Sequence, residues 1–228
     1  MIRSFSRRLG YLDSSQEART IVKQWLGTGG WLGNVADLND LGRTILNNVA
    51  PVAPEAALSA LERALLDPKD SETVVKCSRY LHLLRSLAYD PALFERCIAL
   101  ILKIAEKQDL DKRANEAPKV FASLFPIHFS GTHATIIQRL GVVQSLLRSN
   151  DPKKRALGLM ALRAALEASH FGPGYNFEFG ARSRDYGYWP RTRGDVKQWF
   201  GHSLNLAEDL SCSDEPAAQQ LCARFVSI

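Results

Sequence analysis

The chain has 228 residues, 46% of them hydrophobic and 23% charged, with 29 basic against 24 acidic side chains for a net charge of +5. A chain of that length buries roughly 70% of the surface it exposes when unfolded, so its core needs no staples, and the ordinary composition argues against long disorder. The basic excess is milder than the concentrated field of a dedicated nucleic-acid domain, and no apolar run reaches bilayer-spanning length.

The start, MIRSFSRRLG, lacks the apolar stretch of a signal peptide. From there, apolar residues recur at helical spacing almost from end to end, and strand-like alternation is nearly absent, which predicts an all-α fold. The first helix is expected over 13–26, with Ser14 or Ser15 as cap and Ile21, Val22, Trp25 and Leu26 on one face. The break GTGGWLG over 27–33 ends it. It lacks the G-K-[ST] ending and preceding strand of a phosphate loop, so it reads as a helix–helix turn. A second helix is expected from Asn34, with Val35, Leu38, Leu41, Ile45, Leu46 and Val49 in one stripe. Pro54 is placed to open a third, which Asp67-Pro68 closes.

A fourth helix is predicted over 71–88. Asp90 and Pro91 then cap and open a fifth, with Leu93, Phe94, Cys97, Ile98, Ile101 and Leu102 as its stripe. Residues 108–118 are polar and weakly patterned, a connection that allows sub-units 1–107 and 115–228 within a single 1–228 domain. Thr132 is expected to cap a helix ending near Ser149, Asp151-Pro152 to open one reaching Ser169, and Asp195 to start another. A last apolar helix from Asp214 would run to Ile228 without a C-terminal cap, which suggests docking or a longer parent chain. Proline-opened helices at Pro54, Pro91, Pro152 and Pro216 favour antiparallel helix pairs stacked as a HEAT- or TPR-like α-α superhelix.

Cys77, Cys97, Cys212 and Cys222 form no C-x-x-C pair and read as reduced core or near-core thiols of a cytoplasmic protein, with a Cys212–Cys222 disulfide as the alternative. The histidines His82, His128, His133, His170 and His202 lack metal-ligand spacing, so neither metal nor cofactor is expected. No nucleophile elbow or paired-carboxylate pattern stands out, which points away from an enzyme. The enzymatic option that remains is a hydrolase in which His128, His133 and His170 converge on Asp185.

One stretch differs from all the rest. Of the chain's 20 aromatic residues, nine fall between Phe171 and Phe200, among five glycines and four arginines. Phe177/Phe179 and Tyr186/Tyr188 alternate around A-R-S-R-D, so residues 171–194 are expected to form a long ordered loop or a short β-ribbon. Its candidate contact residues are Arg182, Arg184, Asp185, Tyr186, Tyr188, Trp189, Arg191 and Arg193. The expectation is aromatics turned inward and guanidinium groups outward, able to meet an anion or nucleic acid.

The stretches Arg7–Leu65, His128–Leu140 and Phe177–Phe200 resemble segments downstream of the ATPase core in large bacterial STAND-type NTPases, multidomain proteins of signalling and phage defence. The resemblance implies a helical region that senses a ligand or relays between a nucleotide-switched core and an effector. This chain lacks the P-loop and Walker B elements, so no ATPase residue carries over. The expected role is a non-enzymatic interaction or sensor module whose partner is a protein or the remainder of a larger polypeptide. Nucleic-acid binding by segment 177–200 is the second reading, and no membrane partner is expected.

Overall fold

In a computed structural model, the protein is described over residues 1–66, 71–108, 116–168, 172, 174, 175, 177–180 and 182–211. It is mostly helical, as the periodicity predicts. The elements are α1 (Ile2–Leu9), α2 (Gln16–Leu26), a 3-10 turn (Val35–Asp37), α3 (Asp40–Val49), α4 (Pro54–Leu66), α5 (Ser71–Cys77), a 3-10 turn (Ser78–Tyr80) and α6 (Leu81–Leu87). They continue with α7 (Pro91–Glu106), α8 (Ala117–Ala122), α9 (Ile136–Leu147), α10 (Pro152–Ala165) and α11 (Arg193–Ser211). No helix among the described residues is long and apolar enough to cross a membrane.

Short-range chemistry sets most of the helix starts. Ser15 caps α2 by accepting from the Ala18 N–H, Asp90 caps α7 ahead of Pro91, and Asp151 caps α10 ahead of Pro152. At α11, the Thr192 hydroxyl accepts from the Asp195 N–H, and the Asp195 carboxylate accepts from the Thr192 N–H in return. This reciprocal arrangement is a capping box, so Asp195 sits inside the helix rather than at its cap. The 27–33 break is a helix–helix turn. A Cβ on Gly30 would lie 2.3 Å from the Gln24 carbonyl oxygen, which admits no larger residue.

Three expectations are corrected. The predicted second helix is a 3-10 turn followed by α3, because Asn39 caps a new start and leaves Leu41 at the surface. The predicted 71–88 helix is interrupted at Ser78–Tyr80, where the buried Tyr80 donates its hydroxyl to the Val35 carbonyl at 2.6 Å. The cap of α9 is Thr135, paired with Gln138 in a capping box. Thr132 instead donates its hydroxyl to the Ala88 carbonyl at 2.6 Å. The short α1 was not foreseen: it turns Ser6 and Leu9 inward and packs on α3. The closing Asp67-Pro68, most of the 108–118 connection, His170 and the last helix from Asp214 lie outside the described residues.

Neighbours in sequence pack on one another, as in α6 with α7, α7 with α8 and α9 with α10, while α1 with α3, α4 with α7 and α9 with α11 add longer contacts. One apolar core runs through them, from Val22 and Leu46 through Leu61, Phe94 and Ile101 to Phe121, Leu162 and Trp199. Contacts cross the polar connection, since α6 and α7 both pack on α8. Cys77 and Cys97 are free, buried thiols. Burial pushes the Cys77 thiol up to about 11 and raises that of Cys97 further, so neither is a reactive thiolate.

Candidate interaction site

Among its described residues the aromatic–arginine segment is a loop with one isolated bridge and not a ribbon. Phe179 and Arg182 pair with each other, N–H to carbonyl in both directions at 2.8 and 3.2 Å, closing a tight turn through Gly180. Tyr186 and Tyr188 find backbone partners elsewhere. The Gly131 N–H donates to the Tyr186 carbonyl at 2.9 Å, and the Tyr188 N–H donates to the Thr132 carbonyl at 2.7 Å. Gly187 between them has φ +85°, and a Cβ there would meet the Thr132 nitrogen at 2.4 Å. Only glycine permits both that conformation and that approach.

From this backbone the segment straps together a series of helix connections. Arg182 binds Asp13 through both terminal nitrogens and donates to the Tyr11 carbonyl at 2.6 Å, which ties it to the α1–α2 turn. Gly180 lies against Pro51 and the Asn48 carbonyl at the α3–α4 turn. Arg184 donates to the Ser86 carbonyl at 2.7 Å, at the α6–α7 turn. Gly131 and Thr132 belong to the α8–α9 connection. Beyond the strap, the buried Trp199 donates its indole N–H to the Ala165 carbonyl at the end of α10, at 2.8 Å.

Three arginines are enclosed where the strap meets the body, each against a pair of rings. Arg184 lies 4.0 Å from the Phe179 ring centre and 4.4 Å from that of Tyr89. Arg85, on α6, lies 4.3 Å from Tyr175 and 5.4 Å from Phe177. Arg139, on α9 and fully buried, lies 4.2 Å from Trp199 and 5.2 Å from Tyr188. None of the three makes an ion pair among the described residues. Carbonyl oxygens serve instead: Ser130 for Arg85, Ser86 for Arg184, and Ala134 and Pro126 for Arg139. The aromatic faces stabilise the guanidinium charge, and desolvation makes such contacts stronger than at a surface. Burial lowers Arg139 to about 9 and Arg85 and Arg184 to about 10, so all three stay charged near neutrality.

The expected sorting, with guanidinium groups outward and aromatics inward, therefore describes only part of the segment. Arg184 points inward and Arg182 is half-buried at an ion pair, whereas Tyr186 and Trp189 remain 48% and 53% exposed. Tyr188 is half-buried and stacks on Trp199 at 5.8 Å. Arg191 and Arg193 do point outward.

Asp185 is a knot in the strap. Its Oδ1 accepts from the Gly187 N–H at 2.8 Å and the Tyr89 hydroxyl at 3.0 Å, and it lies 3.0 Å from His133 Nε2. Partial burial alone would raise the carboxyl, but these hydrogen bonds and the His133 charge outweigh it and hold it below its ordinary value. Of the three histidines that a hydrolase would bring to Asp185, His133 is in contact. His128 packs on Trp189, with ring centres 4.4 Å apart, and His170 lies outside the described residues. No group of three metal-ligating side chains is found among the described residues.

The outward edge consists of Tyr186 and Trp189, bridged by the ring of Phe129 at 4.9 and 5.7 Å, with Arg191 and Arg193 next in sequence. Phe129 holds this position with φ +56°, a left-handed backbone that a bulky residue adopts only when its surroundings force it. Sequence reading missed Tyr11, Asp13, Arg85, Tyr89 and Arg139. The signal for Arg85 and Arg139 was present: each falls on the apolar stripe of its own helix, Arg85 with Leu81 and Ala88, Arg139 with Ile136 and Val143.

Fold and site together define an all-α protein with an arginine–aromatic strap across its helix connections. No protein-family model matches the chain, and no curated protein or solved structure matches it either.

Proposed function

We propose that the chain is a non-enzymatic interaction or sensor module in which antiparallel helix pairs, stacked in a HEAT- or TPR-like manner, hold one rigid edge out to a macromolecular partner. The observation that carries this reading is the division within the strap. Its inner side chains are consumed in fixing it to the helices, while Tyr186, Trp189, Arg191 and Arg193 are left facing solvent. Large exposed aromatics and arginines on a fixed backbone are the residue types that dominate binding energy at interfaces, and prior rigidity lowers the entropic cost of association. The Tyr89–His133–Asp185 cluster is accounted for as a fastener, because Asp185 Oδ1 is occupied by donors from the strap and the body.

The module belongs with a larger bacterial, cytoplasmic assembly of the signalling or defence NTPase kind, in keeping with the resemblance of its sequence. The test is retention from host lysate by the immobilised protein, compared with a variant in which Tyr186, Trp189, Arg191 and Arg193 are all serine. The variant is expected to keep its circular dichroism spectrum and lose what the parent retains. Identical retention by both would overturn the reading.

A further inference from the structure

We infer that the outward edge of the strap is a single-stranded nucleic-acid contact, in which Tyr186 and Trp189 stack on bases and Arg191 and Arg193 bind the neighbouring phosphates. The inference rests on the interaction-module reading and names the partner.

Three observations lead to it. First, the two exposed rings are held rather than loose. Phe129 meets both at interplanar angles of 70° and 83°, His128 meets the Trp189 ring at 50°, and Phe177 meets that of Tyr186 at 88°. Rings held by such contacts and still 48% and 53% exposed offer fixed aromatic surface to solvent. Every base has a π face, so such a platform accepts single strands without needing a particular sequence.

Second, the neighbouring cations are exposed. Neither Arg191 nor Arg193 forms an ion pair or side-chain hydrogen bond among the described residues, and both side chains are exposed. The nearest acid in sequence, Asp195, accepts from the Arg191 and Thr192 N–H groups and also feels the Arg191 charge, without pairing with either guanidinium. Arg182, paired with Asp13, and the enclosed Arg184 are excluded from this contact, which places it on half of the segment.

Third, rings and cations fall within a span of eight residues, Tyr186 to Arg193, so one short stretch of chain carries both groups. A net charge of +5 adds a field that draws in a polyanion. A protein partner would also use Tyr, Trp and Arg, but exposed arginines in sequence with half-exposed rings match a repeating backbone charge with an unstacked base.

The experiment measures fluorescence anisotropy of labelled oligothymidylate, about a dozen nucleotides long to cover one site, against an abasic strand of the same length. The full chain is expected to bind the thymidylate at low salt and the abasic strand on the order of tenfold more weakly. Tyr186→Ala with Trp189→Ala should remove that difference. Arg191→Ala with Arg193→Ala should flatten the plot of log K against log salt by about 1.4, at roughly 0.7 per phosphate contact on a single strand. Trp189→Leu keeps apolar bulk and removes the indole face, so it reads the stacking even if the double aromatic variant melts low. Equal binding of abasic and thymidylate strands, or affinity unmoved by either pair of substitutions, overturns the inference. Absence of oligonucleotide binding while the edge-dependent lysate retention persists overturns it and leaves the module reading standing. Loss of both removes both.

Discussion

The strap contains the same local pattern twice, R-S-R at 182–184 and R-T-R at 191–193, and the two have opposite fates. In the first, the Phe179–Arg182 turn brings the chain back against the body. Arg182 then meets Asp13, and Arg184 slides between Phe179 and Tyr89. In the second, Thr192 and Asp195 are occupied in starting α11, and the arginines on either side of Thr192 stand away from the body. Spacing and residue type are equal in the two cases. What separates them is whether a carbonyl and a pair of ring faces wait at the position to which the backbone leads.

The comparison can be broken most forcefully from inside. Trp199 supports both Tyr188 and Arg139 and satisfies the end of α10. Trp199→Ala should cost about 3–5 kcal/mol, as for other buried large aromatics, read as a fall in the urea midpoint. Gly187→Ala comes next, at about 1–3 kcal/mol, because a left-handed backbone and a blocked approach to Thr132 act together. Its signature should be faster hydrogen exchange at the Gly131 and Tyr188 amides, which the strap pairing protects.

The smallest effect concerns Asp185. Its carboxyl is lowered in the folded state, so the stability it contributes is complete above the ordinary carboxylate value of about 4 and is lost as pH falls through the lower folded value. Asp185→Asn should therefore lower stability at pH 7, change it little in the acid range where the native carboxyl is itself protonated, and so make the loss below about pH 4 shallower. An unchanged acid limb would show that Asp185 is not the group that fastens the strap to Tyr89 and His133.

The fold was legible where short-range chemistry decides it. The Asp90-Pro91 and Asp151-Pro152 pairs announce their helices because a carboxylate cap and a first-turn proline act within three residues. The helix break at Ser78–Tyr80 was hidden because its cause, the Val35 carbonyl that receives the Tyr80 hydroxyl, lies 45 positions away in sequence. Thr132 was mistaken for a cap for the same reason: its hydroxyl goes to Ala88, 44 positions away. The strap announced itself by composition, and Tyr186, Trp189, Arg191 and Arg193 were among the residues singled out. Its inner half was misread because Arg182 finds its carboxylate in Asp13, 169 positions away, and because an inward arginine without a carboxylate partner, such as Arg184, is rare enough to look like a surface residue. Only the meeting of Tyr175, Phe177, Phe179 and Trp199 with Arg85, Arg184 and Arg139 makes those sites tolerable.

The most direct measurement sets the two arginine pairs against each other in one urea-unfolding experiment. Arg182→Ala with Arg184→Ala should lower the unfolding free energy by about 2–4 kcal/mol, since it removes a double hydrogen bond to Asp13 and empties a desolvated ring sandwich. Arg191→Ala with Arg193→Ala should stay within about 0.5 kcal/mol of the parent, as surface changes do. Equal effects of the two pairs would contradict the division of the strap into an inner fastening and an outer edge.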